Sequence, residues 1–466
     1  MCGIAYVAEE NAQHAENMLK RRGIRTKKKA VEQGGALIGR RLPIQGLDTE
    51  YDSPYSPEDS SKAWLFSGEV YNYQALNPKA RSDIEVITEK VSESEKNFKK
   101  FDGMWSLICH DPDEKTITAY TDFLCKKPLY FTLEPFQIAS EIKALYSGQA
   151  FNMRALSHVL KFGYFFDACE TPFEGIYKMP EASKLEYNLE TKEVSASDVE
   201  SMVLKKRKFS DTALVAALMK ATRNRLVSDV RVSMLLSGGV DSAILAGFLQ
   251  SPLRMGDVTA FHLTNTKEQK YLKILEKKFH FKARRISSDY LQYPYPLMYI
   301  PWPIPFKSGL TEYSDTPYDL GSLAFQFRLG HEVRSRGFNV AISGDGADEV
   351  FGGYSRLRLF DTQVSDVWDE LVHYHLPRLD CMMLQNTVEL RCPFLARSVV
   401  ELGLSMPWEE RIDKKALREI FAGYIPEQIQ KRGKTPLRTK MPADRKEFYA
   451  ERIRGWMEGV KAWRPN

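Results

Sequence analysis

No uncharged apolar run in this 466-residue chain reaches the roughly 18 residues that a membrane-crossing helix needs. The longest apolar stretch, around Val232 to Leu249, is interrupted by Asp241 and a Gly pair. The opening MCGIAYV lacks the basic-then-apolar layout of a secretory signal. Six cysteines, Cys2, Cys109, Cys125, Cys169, Cys381 and Cys392, are dispersed, without the paired spacing of a zinc site or a secreted disulfide framework. Together these absences predict a cytoplasmic protein in a reducing compartment, with no membrane partner. Charge of one sign is scarce too: 66 basic against 61 acidic side chains leave +5, which gives little long-range pull on nucleic acid. The basic run Lys205 to Lys208 reads as a solvated linker, and no RNA-binding module accompanies it.

What is present is the composition of an ordinary globular protein, with 43% hydrophobic and 27% charged residues, long enough for two cores. From Cys2 to about Leu189, strand-like runs such as AWLF, GMWSLICH, TITAYT and KLEYNL alternate with turn residues, so this part is predicted to be β-rich. The polar stretch from Glu190 to Ser210 is read as a linker. Beyond Ser210, a helical pattern at Leu214, Leu218 and Ala221 leads into strand-like VSMLL, VTAFHLT and NVAIS, the last ending at Ser343. Strands alternating with helices predict a parallel sheet whose ligands bind at the strands' carboxyl ends. From about Leu357 the chain reads as mainly helical.

Three motifs carry chemistry. Once Met1 is removed, Cys2 carries a thiol and a free α-amine on one residue, and an amine of pKa about 7.7 to 8.0 suits a thiol of pKa about 8.5 as its own general base. The string LLSGGVDSA, Leu235 to Ala243, places Gly238 and Gly239 between a strand and a helix, where backbone N–H groups face an anion such as pyrophosphate. Ser237 and Ser242 add hydroxyl donors. SGDGADEVFGGY, Ser343 to Tyr354, begins as another strand ends. Asp241 and Asp348 on these two loops are predicted to hold Mg²⁺ with substrate phosphate, and Asp345 to serve as base or hydrogen-bond acceptor.

Around Cys2, the strings GRRLPIQGLD (Gly39 to Asp48), SGEVYNYQAL (Ser67 to Leu76), RSDIEVI (Arg81 to Ile87) and ASEIKAL (Ala139 to Leu145) resemble the class II glutamine amidotransferases. SGGVDS resembles the PP-loop of ATP pyrophosphatases. LPRLDCMMLQNTVELRCPFLA (Leu376 to Ala396) and KKALREIFAGYIPEQIQKRGK (Lys414 to Lys434) complete a resemblance to the asparagine synthetase family over nearly the whole chain. The resemblance implies an α+β N-terminal-nucleophile glutaminase domain over 2–190, an antiparallel β sandwich with helices. An α/β PP-loop ATP pyrophosphatase domain with a helical C-terminal part is implied over 210–466.

It further implies that Cys2 attacks glutamine, that Arg41 takes the glutamine α-carboxylate, and that Gly68, Glu69 and Asp83 surround its α-amino end. Leu235, Leu263, Ser343 and Gly344 would touch ATP, and Lys434 would steady charge at the reacting acyl centre. Ser67 stands where the family has an oxyanion-donating Asn, so its hydroxyl is expected to act as a shorter donor beside the Gly68 N–H. Phe123, Cys125 and Ala396 depart from the family's Arg, Gly and Asp, and Asp345 replaces Glu. The implied reaction amidates aspartate with ammonia from glutamine, using Mg²⁺ and ATP as substrate, and is compatible with a homodimer. Another carboxylate acceptor keeps the same motifs. A noncatalytic nucleotide-binding relative is expected to show erosion of SGGVDS or SGDGADE, and both strings are whole.

Overall fold

The computed structural model describes residues 2–162, 165, 167, 169–250, 258–264, 268–287, 314–317, 320–354, 364–433 and 445–464. Alternation of side chains builds its first half. Strands β1 (Gly3–Ala8), β2 (Arg25–Val31), β3 (Gly35–Arg41), β4 (Ala63–Val70), β5 (Gly103–Asp111) and β6 (Thr116–Thr121) are followed by β7 (Tyr130–Leu133), β8 (Phe136–Ala139), β9 (Tyr177–Lys178), β10 (Ser183–Asn188) and β11 (Val194–Asp198). They form two sheets, ordered β2-β3-β1-β8-β7-β9 and β11-β10-β6-β5-β4, and the pairings within each are antiparallel.

Ile4 and Tyr6 of β1 join Leu65, Ile108 and Leu185 in a core between the sheets. Ala5 and Val7 point the other way, into a core with Ala12, Ala15 and Leu156 from the helices Ala12–Met18 and Met153–Phe162. This is the period of two expected of a strand covered on both faces. Behind the second sheet lies the helix Asp83–Glu93, started by a capping box in which Glu85 accepts from the Ser82 N–H at 2.8 Å.

The stretch read as a linker contains β11, which pairs with β10 through Ser183–Asp198. Its residues are polar because it is a solvated edge strand, exposed from Ser195 to Asp198. The basic run beyond it lies on the second half, where Arg207 Nε pairs with Glu401 at 2.5 Å.

The second half holds β12 (Val232–Leu235), β13 (Thr259–Leu263), β14 (Arg284–Ile286), β15 (Val340–Ile342) and β16 (Glu389–Arg391) in the parallel order β14-β13-β12-β15-β16. Helices Val240–Gln250, Gln269–Phe279, Leu320–Ser335 and Leu376–Leu384 occur between successive strands. Strand order reverses between β12 and β15, the switch point at which an open α/β sheet leaves a crevice. Beyond Leu357 the described residues are mainly helical, as expected, with the three-residue β16 at the sheet's edge. Among the described residues no helix is long and apolar enough to cross a membrane.

Candidate active sites

Cys2 immediately precedes β1 and is buried. Gly3 must follow it, since a Cβ there would lie 2.8 Å from the Arg22 Cβ. The Ser67 hydroxyl, from β4, donates to the Cys2 carbonyl at 2.8 Å. Burial pushes the Cys2 thiol up, opposed by the positive charge of Arg41 and the Leu42 N–H, while Glu69 pushes the same way as burial. Arg41 ends β3. Its guanidinium donates to the Gln45 and Gly46 carbonyls, both at 2.6 Å, to the Asp48 carbonyl at 3.0 Å and to Asp52 Oδ1 at 3.2 Å.

Glu69 accepts from the Gln45 side-chain amide and lies 3.7 Å from Arg391. Burial, then the neighbouring Glu389 and Asp83, raise its carboxyl well above the ordinary range. Asp83, in the first turn of its helix, accepts from the Val70 N–H at 2.9 Å; burial pushes its carboxyl up to about 6, with Arg41 acting against the rise. Gly68 has φ +146, and a Cβ there would meet the Met104 carbonyl at 2.1 Å, so the stretch of β4 between Ser67 and Glu69 requires glycine. The structure therefore gathers Cys2, Arg41, Ser67, Gly68, Glu69 and Asp83 in one buried cluster. The Ser67 hydroxyl is engaged with the Cys2 backbone carbonyl.

At the switch point a cavity of about 320 Å³ opens, within the size range of small-molecule sites. Leu235, Ser237, Asp241 and Ser242 line it from β12 and its loop, Leu263 from β13, and Ser343, Gly344, Asp345 and Asp348 from the loop after β15. Gly238 and Gly239 shape the turn instead of lining it. Gly238 has φ +82, the Gly239 N–H donates to Ser237 Oγ at 3.1 Å, and the Ser237 and Ser242 hydroxyls stand 3.0 Å apart. The two loops touch closely: a Cβ on Gly344 would lie 2.9 Å from the Asp241 Cβ.

Lys414 Nζ sits between the two acidic residues, 2.5 Å from Asp241 Oδ2 and 2.6 Å from Asp348 Oδ1. Both carboxylates thus converge on one cation, the donor set that suits Mg²⁺ carried with phosphate oxygens. Among the described residues no group of three or more acidic, His or Cys side chains gathers as a metal centre by itself. Arg432 donates to the Gly238 carbonyl at 2.6 Å and pairs with Glu268 at 2.5 Å, pinning the loop after β12. Lys414, Arg432 and the cavity-lining Glu349, Tyr354, His375 and Arg378 were not singled out from sequence. Arg378, Lys414 and Arg432 lie in the C-terminal strings, where a buried cation is indistinguishable from a surface one, Glu349 and Tyr354 lie in SGDGADEVFGGY, and His375 lies in none of the motif strings. Lys434 lies outside the described residues.

Residues 1–198 match a family model described as a glutamine amidotransferase domain, and residues 213–370 and 362–461 match one described as asparagine synthase. The chain is 26% identical over 457 residues to an asparagine synthetase [glutamine-hydrolyzing] of Triphysaria versicolor, covering 88% of this chain and 70% of the relative. It is 26% identical over 418 residues to a putative asparagine synthetase [glutamine-hydrolyzing] of Methanocaldococcus jannaschii, covering 82% and 71%. A probable asparagine synthetase [glutamine-hydrolyzing] of Schizosaccharomyces pombe is 24% identical over 494 residues, covering 92% and 83%.

Proposed function

The chain belongs to the asparagine synthase family, and we propose that it converts aspartate to asparagine with ATP, using ammonia released from glutamine. The observation that carries this reading is the single cavity at the switch point, lined by both the SGGVDS and SGDGADE loops, in a chain that also buries Cys2 beside Arg41, Glu69 and Asp83.

In the first pocket, Cys2 Sγ attacks the glutamine side-chain carbonyl. Its proton passes to the Cys2 α-amine and on to the departing ammonia, and water then hydrolyses the thioester to glutamate. Arg41 is the two-pronged donor for the α-carboxylate, Asp83 is an anionic partner for the α-ammonium, and Glu69 is a further carboxyl acceptor for it. In the second, the aspartate side-chain carboxylate attacks the α-phosphorus of ATP and pyrophosphate leaves. Ammonia adds to the acyl adenylate, Asp345 is the nearby proton acceptor, and AMP departs. An ionised carboxylate has no leaving group; the adenylate supplies one. Asp241 and Asp348 are the residues that would hold Mg²⁺, which neutralises the phosphate charge. Lys434 is assigned to the acyl centre from the family resemblance alone. The dispersed spacing of the six cysteines is the ground on which a cytoplasmic setting is proposed. A homodimer, carried over from the family, is checked by light scattering.

Incubation with Mg-ATP, glutamine and aspartate should yield AMP, pyrophosphate, glutamate and asparagine. ADP and inorganic phosphate would sink the adenylation mechanism. AMP formed only with another carboxylic acid would reassign the acceptor.

A further inference from the structure

An α-amino acid offers a pocket two things, a carboxylate acceptor and an ammonium donor. In this structure one short segment of the chain already satisfies both ends of the glutamine pocket. The carbonyls of Gln45 and Gly46 occupy Arg41, and the Gln45 side-chain amide donates to Glu69. Gln45 carries the same primary carboxamide as the substrate and is itself only 2% exposed. We propose that residues 44–46 form a strap that fills the glutamine pocket in cis, and that Gln45 sets its specificity as the residue glutamine must displace from Glu69. The proposal rests on the glutaminase reading of Cys2.

Three features make the strap a closing element. The first is its seat: Gly46 has φ +59, and a Cβ there would lie 2.7 Å from the Ser82 Cβ, so the strap lies directly against the start of the helix that carries Asp83. The second is its latch. The Asp229 N–H donates to the Ile44 carbonyl at 2.8 Å, and Asp229 Oδ2 accepts from the Gly46 N–H at 2.8 Å. Asp229 stands just before β12, the strand that leads into the SGGVDS loop, so the second half of the molecule holds the first half's pocket shut. The third is its imperfection. Gln45 Oε1 is buried and has no hydrogen-bond partner among the described residues. An unpaired buried carbonyl works against the closed arrangement, so an incoming amino acid competes with a Gln45 side chain held at one atom only.

The consequence is a reduced apparent affinity for glutamine, because only the open fraction binds. The substitutions Gln45→Met, which keeps the volume and removes the amide, and Asp229→Ala, which removes the side-chain half of the latch, test it on the full-length chain. Each should lower the glutaminase KM for glutamine about fivefold, the factor that one net hydrogen bond of about 1 kcal/mol converts to, with kcat unchanged. Ammonium-dependent synthesis should be unaffected. In parallel, alkylation of Cys2 by iodoacetamide, followed by peptide mass, should be faster in both variants. A raised KM for Gln45→Met would show that Gln45 holds the substrate and would overturn the proposal. So would KM and alkylation rates equal to those of the wild type. A wild-type chain that releases no glutamate from glutamine overturns the glutaminase reading instead, and the alkylation rates then decide whether the strap closes the pocket.

Discussion

The Ser67 hydroxyl points at the Cys2 carbonyl and fixes the backbone that carries the nucleophile. Ser67→Ala should therefore lower glutaminase kcat by roughly tenfold or more, since small displacements of a reacting group cost rates of that order, and leave ammonium-dependent synthesis intact; steady-state kinetics on both reactions would show it. Asp83 is the residue whose charge has a pH signature. Its carboxyl is pushed up to about 6, above its ordinary value, so the folded state holds the proton more tightly than the unfolded one. Its contribution to stability is fully present below the unfolded pKa, near 4, and is lost as pH rises through about 6. Asp83→Asn keeps an acceptor for the Val70 N–H and has no such loss. Its melting temperature should exceed that of the wild type at pH 8 and converge with it below pH 4, as thermal unfolding across that range would report. Function runs the opposite way. Wild-type kcat/KM for glutamine should fall below pH 6, where Asp83 no longer offers an anion to the α-ammonium.

Strands β4, β5, β6 and β10 were legible because each carries an alternating or continuous apolar run bounded by turn residues. So were β12 and β15, and with them the position of both nucleotide loops. Strands β14 and β16 were not, because RRI and ELR carry charged residues where β15 has the apolar VAI, and their pairing is dictated by the neighbouring strand. Edge strand β11 was hidden by its polarity. Cys2, Arg41, Glu69 and Asp83 could be named from ordered strings, whereas Lys414 could not, since its burial comes from carboxylates as distant in sequence as Asp241. Lys414 joins the elements of the second site: burial disfavours its charge, yet Asp241 and Asp348 more than offset this and raise it above the usual lysine range. Lys414→Met leaves the two carboxylates facing each other without a cation. Its melting temperature should drop in metal-free buffer and recover on adding MgCl₂; a variant that shows no Mg²⁺ response would mean that the pair does not bind the ion.

The two halves are locked together by buried charge. Arg22 and Lys127 from the first half meet Asp380 from the second at 2.8 and 2.5 Å, all of them buried. Arg225 pairs with Asp102 at 3.1 Å. Burial disfavours the Asp380 charge, but Arg22 and Lys127 prevail and hold its carboxyl below the usual range. Asp380→Ala would strand two buried cations, so denaturant unfolding should show a loss of about 3 to 5 kcal/mol. Arg391 crosses the same boundary: its carbonyl accepts the Ser343 N–H at 3.0 Å beside the switch-point cavity, while its guanidinium lies 3.7 Å from Glu69 in the cluster around Cys2. This arrangement joins two chemistries in one body, each with its own residues. The most direct test of that division is asparagine synthesis by Cys2→Ala, measured with Mg-ATP and aspartate and with either glutamine or ammonium as nitrogen donor. Synthesis from glutamine should vanish while synthesis from ammonium stays at the wild-type rate; equal loss of both, in a variant that remains folded, would contradict two sites working in series.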